Sequence, residues 1–106
     1  LDVNSDAALA ARGEALNATG EDWKALPDVK RAAEINPKNP LAWYLRAVIE
    51  AKHRNFADAA EASSKVLELH PNDREALGLR EKSYRSLGKT AEADADAARN
   101  KSLEKK

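Results

Sequence analysis

Three arginines recur at a fixed interval: Arg12, Arg46 and Arg80, each 34 residues from the next. A guanidinium ladder is one way to grip phosphate groups through paired N–H donors. Arginine on a helix also has a local use, in which its stem covers a core edge while the guanidinium bonds nearby, as Arg46 would to Glu50 one turn on. The local use is expected here. His53 and His70 are the only histidines, each expected at a helix end and solvated, with no carboxylate or cysteine partner at metal-ligand spacing. Asp94-Ala-Asp96 lacks the glycine and glutamate of a calcium loop. Asn17-Ala-Thr19 and Asn100-Lys-Ser102 match glycosylation sequons, a pattern of low specificity. No Ser–His–Asp set, glycine-rich phosphate loop or paired-acid cleft stands out, so neither catalysis, a metal nor a cofactor is expected.

Composition narrows the classes further. The chain has 106 residues, with 18 Lys plus Arg against 18 Asp plus Glu, which argues against a nucleic-acid binder relying on bulk phosphate attraction. With 42% hydrophobic and 34% charged residues it reads as one soluble globular domain over residues 1–106. No apolar run is long enough to span a bilayer. The absence of cysteine excludes disulfides and thiolate chemistry. A chain beginning at Leu1 with no methionine reads as a piece of a longer or processed protein, and its localisation is undetermined.

The elements that position these side chains follow from the interval itself. Sliding the chain on itself by 34 residues brings three copies into register, about 6–39, 40–73 and 74–106. Ala8/Ala42/Ala76 and Ala25/Ala59/Ala93 are identical columns beside the arginines, and Gly20 and Gly88 stand where the middle copy has Arg54. Each copy reads as two helices joined by short turns, which forces antiparallel neighbours. The first helix of copy one spans about Asp6–Ala18. That of copy two opens on Asn39-Pro40, an N-cap followed by a first-turn proline. Asn55 is expected to cap a helix from about Ala57 to Leu69, Asp73 to cap the fifth helix, and Thr90 the sixth. The alanine column at 25, 59 and 93 lets paired helices approach closely. Gly13, Ala47 and Glu81 form a second such column, looser in copy three.

Pro27 conflicts with this pattern, because a proline inside a helix removes a hydrogen bond and clashes with the preceding turn. The second helix is therefore expected to start late, near Leu26, with Glu21–Ala25 irregular and covered by Trp23. The last helix carries Asp94, Asn100 and Lys101 where earlier copies have apolar residues, the polar outer face of a terminal cap.

The residues Trp43, Ala47, Phe56, Ala59 and Pro71, with Gly13, Gly20, Tyr84, Leu87 and Gly88, resemble the tetratricopeptide-repeat (TPR) family pattern. That resemblance implies an all-α solenoid of three helix-turn-helix repeats, six antiparallel helices in a right-handed superhelix. It also implies that the first helices line a concave groove for a peptide or a partner's helix. By column the groove stripe comprises Glu14 and Asn17, then Leu41, Tyr44, Val48 and Lys52, then Glu75, Lys82 and Arg85, with Ala7, Ala10 and Gly78 between them. Leu41, Tyr44 and Val48 would form an apolar patch beside a cationic one from Lys52, Lys82 and Arg85, suited to a protein partner with apolar then acidic residues. Some members of the family grip a chaperone tail's terminal carboxylate. The matching positions here, Ala10, Glu14, Leu45, Glu75 and Leu79, cannot donate the bonds required, so that mode is not expected. The implied role is non-catalytic protein–protein interaction, the alternative being a scaffold or self-association segment of a larger assembly; an intramolecular segment could also fill the groove.

Overall fold

A computed structural model describes residues 5–104. The expected domain's outermost residues, 1–4 and 105–106, lie outside that range. The described residues form six helices: α1 (Asp6–Ala18), α2 (Asp22–Ile35), α3 (Pro40–Lys52), α4 (Phe56–Leu69), α5 (Arg74–Ser86) and α6 (Thr90–Glu104). They pair as three hairpins, α1–α2, α3–α4 and α5–α6, with α2 packing on α3 and α4 on α5. The backbones of successive first helices also approach each other, whereas those of successive second helices do not. The array therefore curves with its first helices on the inside, in a body of 43 × 28 × 22 Å.

The helix starts have local causes. Ser5, Asn39 and Asp73 each accept a hydrogen bond from the backbone N–H three residues on, satisfying one of the donors a helix start leaves open. The first helices end alike. Glu21, Asn55 and Lys89 return their N–H groups to the carbonyls of Leu16, Glu50 and Tyr84. The residue before each return is left-handed: Gly20 (φ 84°), Arg54 (φ 64°) and Gly88 (φ 79°).

Three expectations about helix starts are corrected. The second helix begins at Asp22, not Leu26, and contains Pro27. Pro27 is exposed, so water can reach the face on which the ring costs a hydrogen bond. Trp23 covers nothing there; it is 65% exposed. Asn55 caps α4 by position only: its side chain instead donates to Glu50 Oε1 at 3.1 Å. Thr90 is the first helical residue of α6, and the Lys89 carbonyl accepts the first helical bond, from Ala93.

The core runs through the inter-hairpin seams. Ala25, Val29, Leu45 and Ile49 form one cluster; Val66, Leu67, Ala76 and Leu77 form another, with Trp43, Tyr44 and Leu103 packed against it. Each hairpin thus covers apolar surface that its neighbour cannot bury alone. Close approach is visible at Gly13, where an added Cβ would lie 2.5 Å from Val29 Cγ1. At the far end, Asn100 turns back to α5, accepting from Arg74 Nε at 2.7 Å and donating to the Arg74 carbonyl. Asp94 and Lys101 remain exposed.

Candidate functional site

The inner surface is built from the first helices. On α1, Glu14 is exposed, and Asn17 is half-buried because its carbonyl accepts a 2.9 Å bond from Lys52 Nζ on α3. On α3, Leu41, Tyr44 and Val48 are all half-buried. Leu41 packs against both core clusters of the first seam, so most of its area serves stability. Tyr44 reaches across to α5, its hydroxyl donating to Glu75 Oε2 at 2.5 Å. Donation to a carboxylate holds the phenol proton and, with partial burial, pushes its pKa up to about 12.

Pro40, Leu41 and Tyr44 of α3, Val66 of α4, and His70, Asp73 and Glu75 around the start of α5 enclose a crevice of about 280 Å³. Of the stripe expected from sequence, Leu41, Tyr44 and Glu75 converge on this crevice, and Asn17 meets Lys52. Val48, Glu14 and Lys82 stand along the same inner helices outside it.

The expected cationic patch needs correction. Arg85 donates to Glu81 and to Asp94 on α6, and these hydrogen bonds push its pKa up, Asp94 contributing most. Lys52 is held by Asn17. Among the described residues, Lys82 alone of the three has no hydrogen-bonded partner. The acidic side chains Glu75 and Asp73 border the crevice instead. Opposite charges attract, and the chain satisfied its own cations first.

Both histidines sit exposed at helix ends, as expected, and His53 gains a carboxylate contact. His53 closes α3 and its Nε2 lies 2.7 Å from Asp22 Oδ2 at the start of α2, which holds the Asp22 carboxyl below its usual range. His70 is exposed, as expected. Among the described residues no group of three or more His, Cys, Asp or Glu is arranged to hold a metal, and no helix is long and apolar enough to cross a membrane.

The arginine column faces away from the groove. Arg12 makes two 2.7 Å bonds to Asp28, and Arg80 makes bonds of 2.9 and 2.7 Å to Asp96 and one of 3.1 Å to Ser64. Arg46 has only Glu50, at 3.6 Å. Sequence reasoning missed the aspartates, although the signal was there: Asp28, Ala62 and Asp96 form a column sixteen residues behind the arginines.

No family model matches the sequence, and no curated protein does either. Solved structures do resemble it. The second TPR domain of Spaghetti (RPAP3), bound to the HSP90 peptide SRMEEVD, superposes with a TM-score of 0.88 at 20% identity over 96% of this chain and 94% of that one. Two structures of MamA give TM-scores of 0.90 and 0.88 at 23% identity over 99% of this chain. The chain spans 61% and 57% of those two MamA chains. With the 34-residue period and the three stacked hairpins, this likeness establishes that the chain has the tetratricopeptide-repeat fold.

Proposed function

We propose that the domain is a non-catalytic protein-interaction module whose partner lies along the inner surface with an apolar side chain in the Leu41–Tyr44–Val66 crevice. The observation that carries this reading is the crevice itself: a concave, partly apolar space of about 280 Å³ at the junction of two repeats. Val48 and Lys82 extend the surface beyond it, giving a second apolar contact and a cation with no internal partner. A partner segment with an apolar anchor and an acidic residue directed to Lys82 suits this layout, and a basic or hydroxyl group suits Glu75.

Peptide binding in the RPAP3 domain supports the general reading; a terminal-carboxylate grip is not proposed, because the matching positions carry Ala10, Glu14, Leu45, Glu75 and Leu79. Glu14 and Glu75 are acids, and Leu45 is buried.

The test is selection of peptides from a random displayed library on the intact domain, followed by affinity measurement with Tyr44→Ala and Lys82→Glu. Apolar-anchored peptides should be enriched, and each variant should weaken them by about tenfold or more while leaving helicity unchanged. Peptides indifferent to both variants would remove the groove assignment. Failure to enrich any peptide, together with concentration-dependent oligomers by light scattering, would favour the scaffold role.

A further inference from the structure

The outer face carries a second feature, independent of the groove. In the third repeat, Arg80 is satisfied by two acceptors: Asp96 on its own partner helix and Ser64 on the preceding one. In the 34-residue register the middle repeat has lost both. Ala62 stands for Asp96, and Lys30 stands for Ser64. Arg46 accordingly makes no hydrogen bond among the described residues. Its Nε is buried without a partner, and its one ionic neighbour is Glu50 at 3.6 Å.

This guanidinium lines a crevice of about 270 Å³ between α2 and α3, bordered also by Lys30, Ala33, Glu34 and Trp43. Trp43 packs its ring 5.8 Å from the guanidinium carbon, and its indole N–H is spent on the Pro37 carbonyl at 2.8 Å. The ring is therefore a fixed apolar wall. Glu34, the single acid of the lining, lies 3.8 Å from Arg31. Two cations, Arg46 and Lys30, thus border this space on the side where the equivalent arginine of the next repeat meets the Ser64 hydroxyl.

From this we infer that the α2–α3 crevice receives the carboxylate of an acidic side chain from a protein partner, held between Arg46 and Lys30 beside Trp43. The chain supplies its own precedent. The same arginine column takes an aspartate through two N–H bonds in the repeats on either side, and a planar guanidinium fork favours the planar carboxylate over a spherical anion. The contact would lie on the face opposite the groove stripe, so a partner could engage it while the groove is filled.

Nuclear magnetic resonance of the arginine Nε–Hε groups and the Trp43 indole tests this, with N-acetyl-aspartate amide as probe at constant ionic strength. The Arg46 Nε–Hε signal should shift saturably while those of Arg12 and Arg80, already bonded, stay still. Arg46→Lys should weaken binding about tenfold, read at the Trp43 indole. The double variant Glu50→Leu with Ala62→Asp, which replaces the 3.6 Å ionic contact to Glu50 with a hydrogen-bonded carboxylate like that of Arg80, should abolish the response. Tyr44→Ala should leave it unchanged, which separates this site from the groove. No saturable shift, an equal response at Arg12 and Arg80, an undiminished response in the double variant, or tighter binding of inorganic phosphate would each overturn the inference.

Discussion

Arg80 and Asp96 join α5 to α6 through a two-point contact, Nε and Nη2 each meeting one carboxylate oxygen at 2.9 and 2.7 Å. Asp96 is 6% exposed and Arg80 24%, so the pair is shielded from most of the solvent that weakens such contacts elsewhere. Asp96→Ala should leave the guanidinium with Ser64 alone and destabilise the domain by about 2 kcal/mol in urea unfolding. Asp28→Ala, whose partner Arg12 is largely exposed, should cost distinctly less. Equal losses at the two sites would show that burial does not set the strength of this column.

The middle repeat places its acid on the other helix. Glu50, 2% exposed, occupies the column filled by Leu16 and Tyr84, and Ala62 occupies that of the aspartates. Acid and apolar residue have exchanged helices around one arginine. Glu50→Leu and Ala62→Asp should each destabilise singly: the first strips Arg46 of its counter-charge, the second crowds two carboxylates. Together they should recover stability, with a favourable coupling of about 1–3 kcal/mol in a double-mutant cycle. Additive losses would remove the exchange as an explanation.

At Gly13 two effects compete. Alanine is the better helix former by about 1 kcal/mol. Its Cβ, however, would meet Val29 Cγ1 at 2.5 Å, and a β-branched side chain buried in the seam has little room to yield. Overpacking should win, giving a net loss of about 1 kcal/mol for Gly13→Ala. In a Val29→Ala background the same substitution should become stabilising. The reversal of sign is the measurement that decides.

Arg54 holds a left-handed backbone, φ 64°, where the other two repeats use glycine. An L side chain costs about 1–2 kcal/mol in that region. Arg54→Gly removes the strain but also the guanidinium stacked 5.7 Å from the Phe56 ring, a contact of about 0.5–1 kcal/mol at an exposed site. The balance should be a gain of about 0.5–1 kcal/mol, visible as a higher Tm by calorimetry.

The Tyr44–Glu75 bond makes a prediction in alkali. The phenol's pKa is raised to about 12, so the stabilisation its proton provides is complete below the usual value of 10.0 and is lost as pH rises through about 12. Phenolate absorbance should show a late-ionising component. Tyr44→Phe should remove it, and Glu75→Gln should bring it to lower pH. A component unmoved by Glu75→Gln would mean that the bond does not hold the proton in solution.

Much of this fold was legible because the 34-residue period is a property of the chain alone. Stacked hairpins require small residues where helices cross, a cap where each starts and a left-handed residue where each first helix ends. Those requirements mark Ala25, Ala59 and Ala93, Asn39 and Asp73, Gly20 and Gly88 directly in the sequence. Pro27 was misjudged because local propensity takes no account of which face of the helix meets water. The backbone tolerates the proline on an exposed face and keeps its turn at Asp22.

The inner stripe was readable as positions but not as free charges. Sequence places Lys52, Lys82 and Arg85 on helices that line one surface. Only the packed structure decides that Asn17 takes Lys52, that Asp94 and Glu81 take Arg85, and that Tyr44 spans to Glu75. The physical reason is range. Helix period and capping act within a few residues and leave a local trace, whereas each of these pairings except Arg85–Glu81 joins residues from different helices. Which cations remain open to a partner depends on side chains meeting in space, and no single helix encodes that.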